Sequence, residues 1–352
     1  MSRLWASRSI GLALALAGAG AASCARPFDP QSLVSTLRVI AVQADHPTPA
    51  PDTDVTFQML AYDGSPHAIG ADGKPRLVEI VWIGGCEDPA GDLYYKCYDT
   101  MGPALDALRS GAPSPLVGRG STYTWHLPAD LVSRRSGSGK SKFPYGLAYV
   151  FYAVCAGKVV ATGATDLTTP RLGCVDDSGA QVSSDGFVYG YMPLYSYPGI
   201  DNHNPIVTDG LFDGAPPSTQ SCKTDADCAA SDACGSTGVC LPVIAPCPTS
   251  GTCPSHSVQP TVDPSSAEPD PMASALAGAP RTEQIVVEYL TSAGSTSAGD
   301  TNIVVDPVAG PRTGYGGSWS PPTSAVGETR IWALVRDNRE GVAWWTVDVV
   351  VR

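Results

Sequence analysis

Cysteine is the residue type in this sequence with the most chemistry to offer. The chain has eleven cysteines, and six of them fall between positions 222 and 253 with five or six residues between neighbours. Zinc ligands are usually separated by about two to four residues and often include paired histidines. A single histidine, His256, lies near the cluster. The spacing therefore favours disulfide bonds, and we assign no metal site.

The cysteines can be paired in more than one way. The alternative to our first choice for Cys86 is a bond to Cys155, which would bridge two sheets beside Trp82, as in antibody domains. The six clustered cysteines also allow many pairings. We carry forward these pairs: Cys86–Cys97, Cys155–Cys174, Cys222–Cys234, Cys228–Cys240 and Cys247–Cys253.

Residues that could catalyse a reaction form no recognisable motif. The sequence has no G-x-S-x-G elbow, no H-E-x-x-H pair and no G-x-G-x-x-G turn, and its five histidines are isolated. Asp225 and Asp227 suggest calcium, but an EF-hand loop needs further oxygen ligands and a final glutamate. We therefore expect no catalytic residues, no cofactor and a protein that is not an enzyme.

Aromatic side chains are the other candidates for contact with a ligand. Tyr189, Tyr191, Tyr195 and Tyr197 fall on alternate positions, so a strand would place their rings on one face. Trp344 and Trp345 would point to opposite faces, so only one of them can lie in a core. Tyrosine and tryptophan suit sugar rings or a partner protein because they combine apolar area with a polar tip. For the tyrosine row we expect packing inside the sandwich core, and a contact surface is the alternative.

The first 24 residues predict export and a lipid anchor. Arg3 and Arg8 precede an apolar run at 10–22, which is shorter than the roughly 20 residues that span a bilayer. Small residues before Cys24 resemble the lipobox of bacterial lipoproteins, which implies lipidation of Cys24 and leaves ten cysteines to pair. Alanine follows Cys24 where aspartate commonly retains such lipoproteins in the inner membrane, which implies the outer membrane. Ordinary cleavage after Ala22 or Ser23, with a free Cys24, is the alternative.

Net charge narrows the class of partner. The formal charge is −12, and it falls to −14 when residues 1–23 are removed, because they carry two arginines and no acidic residue. Such a chain is unsuited to bind nucleic acid, and charge would not hold it to an anionic bilayer. An exported protein also meets little nucleotide. We expect a membrane contact through the lipid anchor and a protein or glycan partner at the envelope.

Strand patterns place these residues in a first β-domain at 36–200, after a tether at 24–35. Alternating apolar and polar residues predict about seven strands, the number typical of an immunoglobulin-like sandwich. The most apolar stretch, 144–165, is interrupted by Ala156-Gly157-Lys158. This interruption predicts a hairpin of strands 145–155 and 159–165.

A second sandwich is predicted at 201–352. Its first strand is expected at 206–212, and its last two strands, 328–336 and 342–351, are joined by a turn at 337–341. Between them, 215–280 is assigned as a linker carrying a cysteine-rich module at 221–256 that projects from the domain. This module has few large apolar residues, so disulfides must replace core burial in stabilising it.

Two resemblances extend this interpretation. The segment CKTDADCAASDACGSTGVC is similar to the C-x-x-D-x-D-C modules of Dickkopf-type cysteine-rich domains. The lipobox, the STLRVIAVQADHPTPAPDTDVTF opening, HNPIV and the final RIWALVRDNREGVAWWTVDVVV hairpin resemble uncharacterised tandem Ig-like lipoproteins of myxobacteria with PKD-like domains. The resemblance implies two immunoglobulin-like sandwiches, an all-β fold, and brings no catalytic residues.

The expected function is a non-catalytic one at the cell envelope. We expect an outer-membrane lipoprotein that acts in adhesion or as an accessory subunit of an envelope complex. A carbohydrate-binding lipoprotein is the first alternative, and an exposed aromatic row on one sheet would favour it. An envelope hydrolase is the second alternative, and clustered, buried carboxylates in a cleft would favour that.

Overall fold

Strands are the main regular secondary structure in the described part of the chain. The computed structural model describes residues 30–69, 75–135, 142–164, 171–298 and 302–352. Within them, Ser32–Arg352 form one compact unit. Two short helices, α1 (Gly102–Ser110) and α2 (Pro271–Ala277), accompany the strands. The predicted all-β class, with two sandwiches and a disulfide-rich insertion, is confirmed.

Two antiparallel sheets form the first sandwich. One has the strand order β1-β2-β5 and the other the order β4-β3-β6-β9, while β7 and β8 form a separate pair. The strands are β1 (Leu37–Ala44), β2 (Asp54–Asp63), β3 (Glu79–Glu87), β4 (Val117–Arg119), β5 (Thr122–His126), β6 (Gly146–Cys155), β7 (Lys158–Ala161), β8 (Leu172–Val175) and β9 (Phe187–Ser196).

Large aromatic side chains fill the space between these sheets. Trp82 is fully buried, and its ring lies 5.9 Å from that of Phe57 and 6.2 Å from that of Tyr123. The indole N–H of Trp82 donates to the carbonyl of Gly120 at 2.8 Å, so the burial leaves no unpaired polar group on this ring. Apolar and polar residues alternate in the sequences of β2 and β5 because each strand buries only one face.

A third layer covers the outer face of the β4-β3-β6-β9 sheet. Leu105 and Leu108 of α1 and Val159 of β7 pack on Val81 and Phe151. Strand β6 is therefore buried on both faces, which explains why its sequence is almost continuously apolar.

The predicted hairpin of strands 145–155 and 159–165 is wrong. Strand β6 pairs with β3 and β9, whereas β7 pairs with β8. The apolar run is interrupted because the chain leaves the central sheet after Cys155 and enters the third layer. Apolar content alone does not distinguish the next strand of a sheet from a strand packed over it.

Two disulfides fasten the third layer to the sheet. The sulfurs of Cys86 and Cys97 are bonded, as are those of Cys155 and Cys174. The alternative bond between Cys86 and Cys155 is not formed. In the register of β3 and β6, Cys86 is opposite Tyr149 and Cys155 is opposite Glu79, so the two cysteines lie at opposite ends of the same sheet.

The second sandwich also has two sheets. Their orders are β10-β13-β18-β15 and β11-β12-β20-β19-β14-β16-β17. The strands are β10 (Val207–Phe212), β11 (Asp232–Cys234), β12 (Cys240–Ile244), β13 (His256–Val262), β14 (Ile285–Thr291), β15 (Ser295–Ser297), β16 (Ile303–Asp306), β17 (Gly310–Pro311), β18 (Gly317–Ser320), β19 (Gly327–Asp337) and β20 (Val342–Val351). The final hairpin is formed as predicted, with β19 antiparallel to β20.

The segment 215–280 is more than a linker. Strand β13 lies between β10 and β18, and Val258, Pro260 and Val262 point into the core. Pro260 obscured this strand in the sequence, because proline cannot donate a ladder hydrogen bond. On β13, strand β18 pairs only with residues 256–258, so within the described residues no strand pairs with Pro260 on the side away from β10.

The cysteine-rich module docks on the second sandwich, so the prediction that it projects from this domain is wrong. Strand β12 pairs in parallel with the end of β20, so the module extends the larger sheet of the second sandwich. The side chain of Ser236 donates to Glu328 at 3.0 Å, and Arg352 forms an ion pair with Asp225 at 2.7 Å. The free edge of β20 attracts the module because an uncovered strand edge offers unpaired backbone groups.

An apolar cluster joins the two sandwiches. Trp332 is fully buried and packs edge-on against Tyr62, with ring centroids 4.9 Å apart. Ile40 of β1 and Val342 of β20 belong to the same cluster. The connecting segment is held as well, since Asn204 donates to the carbonyl of Ala44 at 2.7 Å and accepts from the N–H of Val342 at 2.9 Å.

Candidate binding surface

Tyrosine rings gather on the outer face of strand β9 and on the turn before α1. We call this the tyrosine surface. Tyr189 exposes 57%, Tyr191 41% and Tyr94 38% of their accessible area. The surface comprises Tyr94, Tyr98, Tyr145, Tyr189, Tyr191, Tyr195 and Tyr197.

Ring stacking holds the exposed tyrosines in place. Tyr94 lies 4.5 Å from Tyr191 in a stacked arrangement, and Tyr191 also meets Tyr149 edge-on at 5.4 Å. The Cys86–Cys97 disulfide tethers the 94–99 turn that carries Tyr94. Rings that are ordered before binding lose little conformational entropy when a partner arrives.

A polar group of residues borders one end of the tyrosine surface. The Tyr145 hydroxyl donates to Asp92 at 2.7 Å, and the Arg135 guanidinium lies 4.1 Å from the Tyr145 ring centroid and donates to the same carboxylate. The hydrogen bond to Asp92 and burial raise the pKa of Tyr145 to about 12. Asp88 and Asp92 both have positive φ, 42° and 59°, a backbone conformation that is uncommon outside glycine.

The four tyrosines selected from the sequence share the predicted face but not one environment. Tyr189 and Tyr191 are exposed, so the expected core position is wrong for them, whereas Tyr195 and Tyr197 are half-buried against Tyr145. Tyr94 and Tyr98 were missed. The signal that could have found them is the run Tyr94-Tyr95-Lys96-Cys97-Tyr98, where a disulfide cysteine fixes neighbouring tyrosines at the surface.

The two tryptophans of β20 are each half-buried. Trp345 packs against the core of the second sandwich, over Gly210, where any Cβ would lie within 2.4 Å of its ring. Trp344 packs against the cluster between the sandwiches. Both rings are therefore used in packing within this chain.

A cleft of about 450 Å³ lies beside the tyrosine surface. Its walls are β1 and β9, which are edge strands of the two sheets of the first sandwich, and the turn between β19 and β20 closes it. Val39, Met192 and Pro193 provide apolar lining. Tyr191 belongs to both the cleft and the tyrosine surface, and Glu340 lies near that surface. No sequence pattern predicted this cleft, because its walls come from strands far apart in the chain.

The carboxyl groups of Asp337 and Glu340 line this cleft, but that of Asp337 already has hydrogen-bond partners. Asp337 accepts hydrogen bonds from the N–H groups of Arg339 and Gly341, both at 2.7 Å, and from Asn202 at 3.2 Å. Burial raises the pKa of Asp337, and burial with the nearby Asp337 charge raises that of Glu340. Asp337 serves the turn, so the pair lacks two free carboxylates of the kind that a hydrolase uses.

A buried ion pair lies behind the turn. The side chains of Arg339 and Glu283 are 5% and 0% exposed and 2.8 Å apart. Burial, opposed by Arg339, raises the pKa of Glu283 to about 7. Arg339 also donates to the carbonyls of Asp201 and Pro269, so it connects the segment between the sandwiches to the β19–β20 turn.

The cysteine-rich module is held together by three disulfides. They join Cys222 to Cys234, Cys228 to Cys240 and Cys247 to Cys253, the pairs carried forward from the sequence.

The two aspartates considered for calcium have structural partners. Asp227 accepts from the N–H groups of Lys223 and Thr224, and Asp225 accepts from that of Cys234 and pairs with Arg352.

The predicted leader and lipid site belong to the N-terminal segment of the chain. Residues 1–23 and Cys24 lie outside the described residues. Among the described residues, no helix is long and apolar enough to cross a membrane.

Comparison with known proteins shows little similarity. Neither a family model nor a curated protein matches the chain. Among solved structures, the fibronectin(III)-like modules of Clostridium thermocellum CbhA match at 8% identity and a TM-score of 0.18, over 89% of this chain and 94% of that one. Dimeric latent PorU from Porphyromonas gingivalis matches at 10% identity and a TM-score of 0.19, over 91% of this chain and 24% of that one.

Proposed function

We propose that this protein is a lipid-anchored, non-catalytic binding protein of the cell envelope and that the tyrosine surface contacts its partner. The observation that carries the proposal is the exposure of Tyr189 and Tyr191 on the outer face of β9, beside exposed Tyr94 on a turn that the Cys86–Cys97 disulfide tethers. Solvent-exposed rings of this size are typical of the centres of protein interfaces. The partner is an envelope protein, in adhesion or in a complex.

Anchoring supports the same proposal. The Cys24 context that resembles a lipobox, an acidic chain and five disulfides all suit an outer-membrane lipoprotein. The lipobox, the STLRVIAVQADHPTPAPDTDVTF opening, HNPIV and the final hairpin also support it, because they resemble tandem Ig-like lipoproteins of myxobacteria.

Replacing Cys24 by serine should release the protein from the membrane fraction, because serine cannot carry the thioether-linked lipid. The measurement is membrane partition together with metabolic labelling by an alkyne fatty acid. Ala22→Ser keeps a small residue before Cys24 and serves as the control. Continued membrane association and labelling of the Cys24→Ser chain would contradict the anchor.

Replacing Tyr94 and Tyr189 together by alanine should weaken partner binding by about tenfold or more, since tyrosines in interfaces often contribute over 1.4 kcal/mol. The free energy of unfolding should change by no more than about 1 kcal/mol, because both rings are exposed. A photoreactive residue placed at position 189 identifies the partner in cells. The affinity of the full-length chain for that partner is then measured. Leu276→Ala, at a residue 92% exposed on α2, is the control.

Cross-links that form at position 276 and not at 189 would contradict the tyrosine surface as the contact. Protein adducts at 189 that disappear in the Tyr94→Ala chain would support it.

The exposed aromatic row also favours a second candidate, carbohydrate binding. Sugar rings stack on tyrosine, and Asp92 and Arg135 at the border could bond sugar hydroxyls. A glycan panel probed with the unmodified chain and with the Tyr94/Tyr189 double variant distinguishes the two candidates. If the unmodified chain binds a glycan that the double variant does not bind, the proposed partner is a carbohydrate and not a protein.

A further inference from the structure

Buried polar contacts hold the segment that connects the two sandwiches, residues 197–206, to the β19–β20 turn. Asn202 is fully buried, and its side-chain amide donates to the carbonyl of Arg339 at 2.9 Å and to the Asp337 carboxylate at 3.2 Å. The Arg339 guanidinium donates in return to the carbonyl of Asp201. The connecting segment therefore depends on Arg339 for its position.

Glu283 is the buried acid beside these contacts. Its side chain is 0% exposed and lies 2.8 Å from that of Arg339. Its Oε2 accepts a hydrogen bond from the N–H of Glu268 at 3.2 Å. The acid and the connecting segment thus share one arginine. We call the connecting segment, the β19–β20 turn, Glu268 and Glu283 together the joint.

Carboxyl groups outnumber basic groups in the joint. The acids around Glu283 come from each element packed there: Asp201 on the connecting segment, Glu268 and Asp270 after β13, and Asp337 and Glu340 at the turn. Burial among acids disfavours a further negative charge. Burial and the Asp337 charge raise the pKa of Glu283 to about 7, although Arg339 opposes them.

The bases of the joint are Arg339 and His203. His203 lies on the connecting segment and pairs with Glu268 at 2.6 Å, and this hydrogen bond raises the pKa of His203. The other cations near the turn and β14 serve different groups: Arg281 donates to the carbonyl of Pro280, and Arg336 lies 3.9 Å from Glu288. They do not balance the acids of the joint.

Both titrating groups respond to pH in the same direction. A raised carboxyl pKa means that Glu283 keeps a proton in the closed joint and releases it when opening exposes the side chain to water, between about pH 4.5 and about pH 7. A raised histidine pKa means that the closed joint also prefers protonated His203, the partner of Glu268. Opening of the joint therefore becomes easier as the pH rises.

We propose that the joint is a pH-sensitive latch. With Glu283 and His203 protonated, the connecting segment stays bound to the β19–β20 turn, and loss of these protons to water lets the segment open. Each sandwich keeps its own core, and the apolar cluster around Trp332 still joins the two, so the opening is local. The proposal concerns the joint and does not depend on the partner contact of the tyrosine surface.

Amide hydrogen exchange of the full mature chain at pH 5.5 and pH 8, measured by NMR, tests the proposal. The reporter is the N–H of Val342, which donates to Oδ1 of Asn204 at 2.9 Å. After correction for the intrinsic pH dependence of exchange, its protection factor should be about tenfold or more lower at pH 8. The amide of Val150, in the centre of β6, is the reference and should change by less than about twofold.

Glu283→Gln imitates the protonated acid and should reduce the pH dependence at Val342 to about threefold or less, since only His203 then titrates. Glu328→Gln is the matched control. It makes the same change at an exposed carboxylate that accepts from Ser236, and it should leave the tenfold difference in place.

Three results would overturn the proposal. They are equal protection of Val342 at the two pH values, an undiminished pH dependence in the Glu283→Gln chain, and a loss of protection at Val150 as large as that at Val342. If the Glu283→Gln chain does not fold, the side-chain carboxyl carbon resonance of Glu283 in the unmodified chain decides. It should titrate with a midpoint near 7, and a midpoint near 4.5 would contradict the latch.

Discussion

Replacing Arg339 by methionine should lower the free energy of unfolding by about 3–5 kcal/mol at pH 8, which is the usual cost of removing one partner of a buried ion pair. The methionine leaves Glu283 with a charge, no exposure and no cation. It also removes the donors to the carbonyls of Asp201 and Pro269. Urea denaturation measures the loss.

This loss should depend on pH in a defined direction. The pKa of Glu283 is raised from 4.5 to about 7 in the folded chain, chiefly by burial. A raised carboxyl pKa means that the folded state prefers the protonated form, so stability falls as pH rises from about 4.5 through about 7. Without Arg339 the pKa rises further. The Arg339→Met chain should therefore lose less stability at pH 5 than at pH 8.

Two comparisons make the result specific. Arg109→Met removes an exposed ion pair with Asp106 and should cost no more than about 1 kcal/mol. Adding Glu283→Gln to Arg339→Met should recover part of the loss at pH 8, because no buried charge then remains. A loss below 1 kcal/mol at pH 8, or one equal at both pH values, would contradict this account of the pair.

Replacing Trp332 by alanine should cost about 3–5 kcal/mol, the range for a fully buried tryptophan. Its ring fills the cluster between the sandwiches against Tyr62, so the cavity left behind lies at the junction. We expect the two sandwiches of this variant to unfold in separate transitions, because most of their shared apolar contact is lost. Calorimetry measures both the loss and the number of transitions.

Trp344→Ala is the matched control for this variant. Trp344 belongs to the same cluster on the neighbouring strand but is only half-buried, so its truncation should cost less. An equal loss in both variants, or a single unchanged transition in Trp332→Ala, would show that this cluster does not couple the sandwiches.

Local patterns in the sequence determined the fold class and the strands that alternate clearly or close a hairpin. Period-two alternation marks β2 and β5, which have one buried face, and the final hairpin has both strands and its turn within 25 consecutive residues. The face shared by Tyr189 and Tyr191 follows from the same alternation. These features depend on neighbours along the chain, so the order of residues is enough to predict them.

Only the tertiary structure decided which surfaces remain open. The partner of β6, the docking of β12 on β20 and the role of β13 all depend on strands distant in sequence. The half-burial of Tyr195 beside the exposure of Tyr189 depends on the packing of Tyr145, which comes from a segment distant in sequence. The cleft at Glu340 exists because β1, β9 and the β19–β20 turn meet there, and no local pattern encodes a space between segments about 150 residues apart.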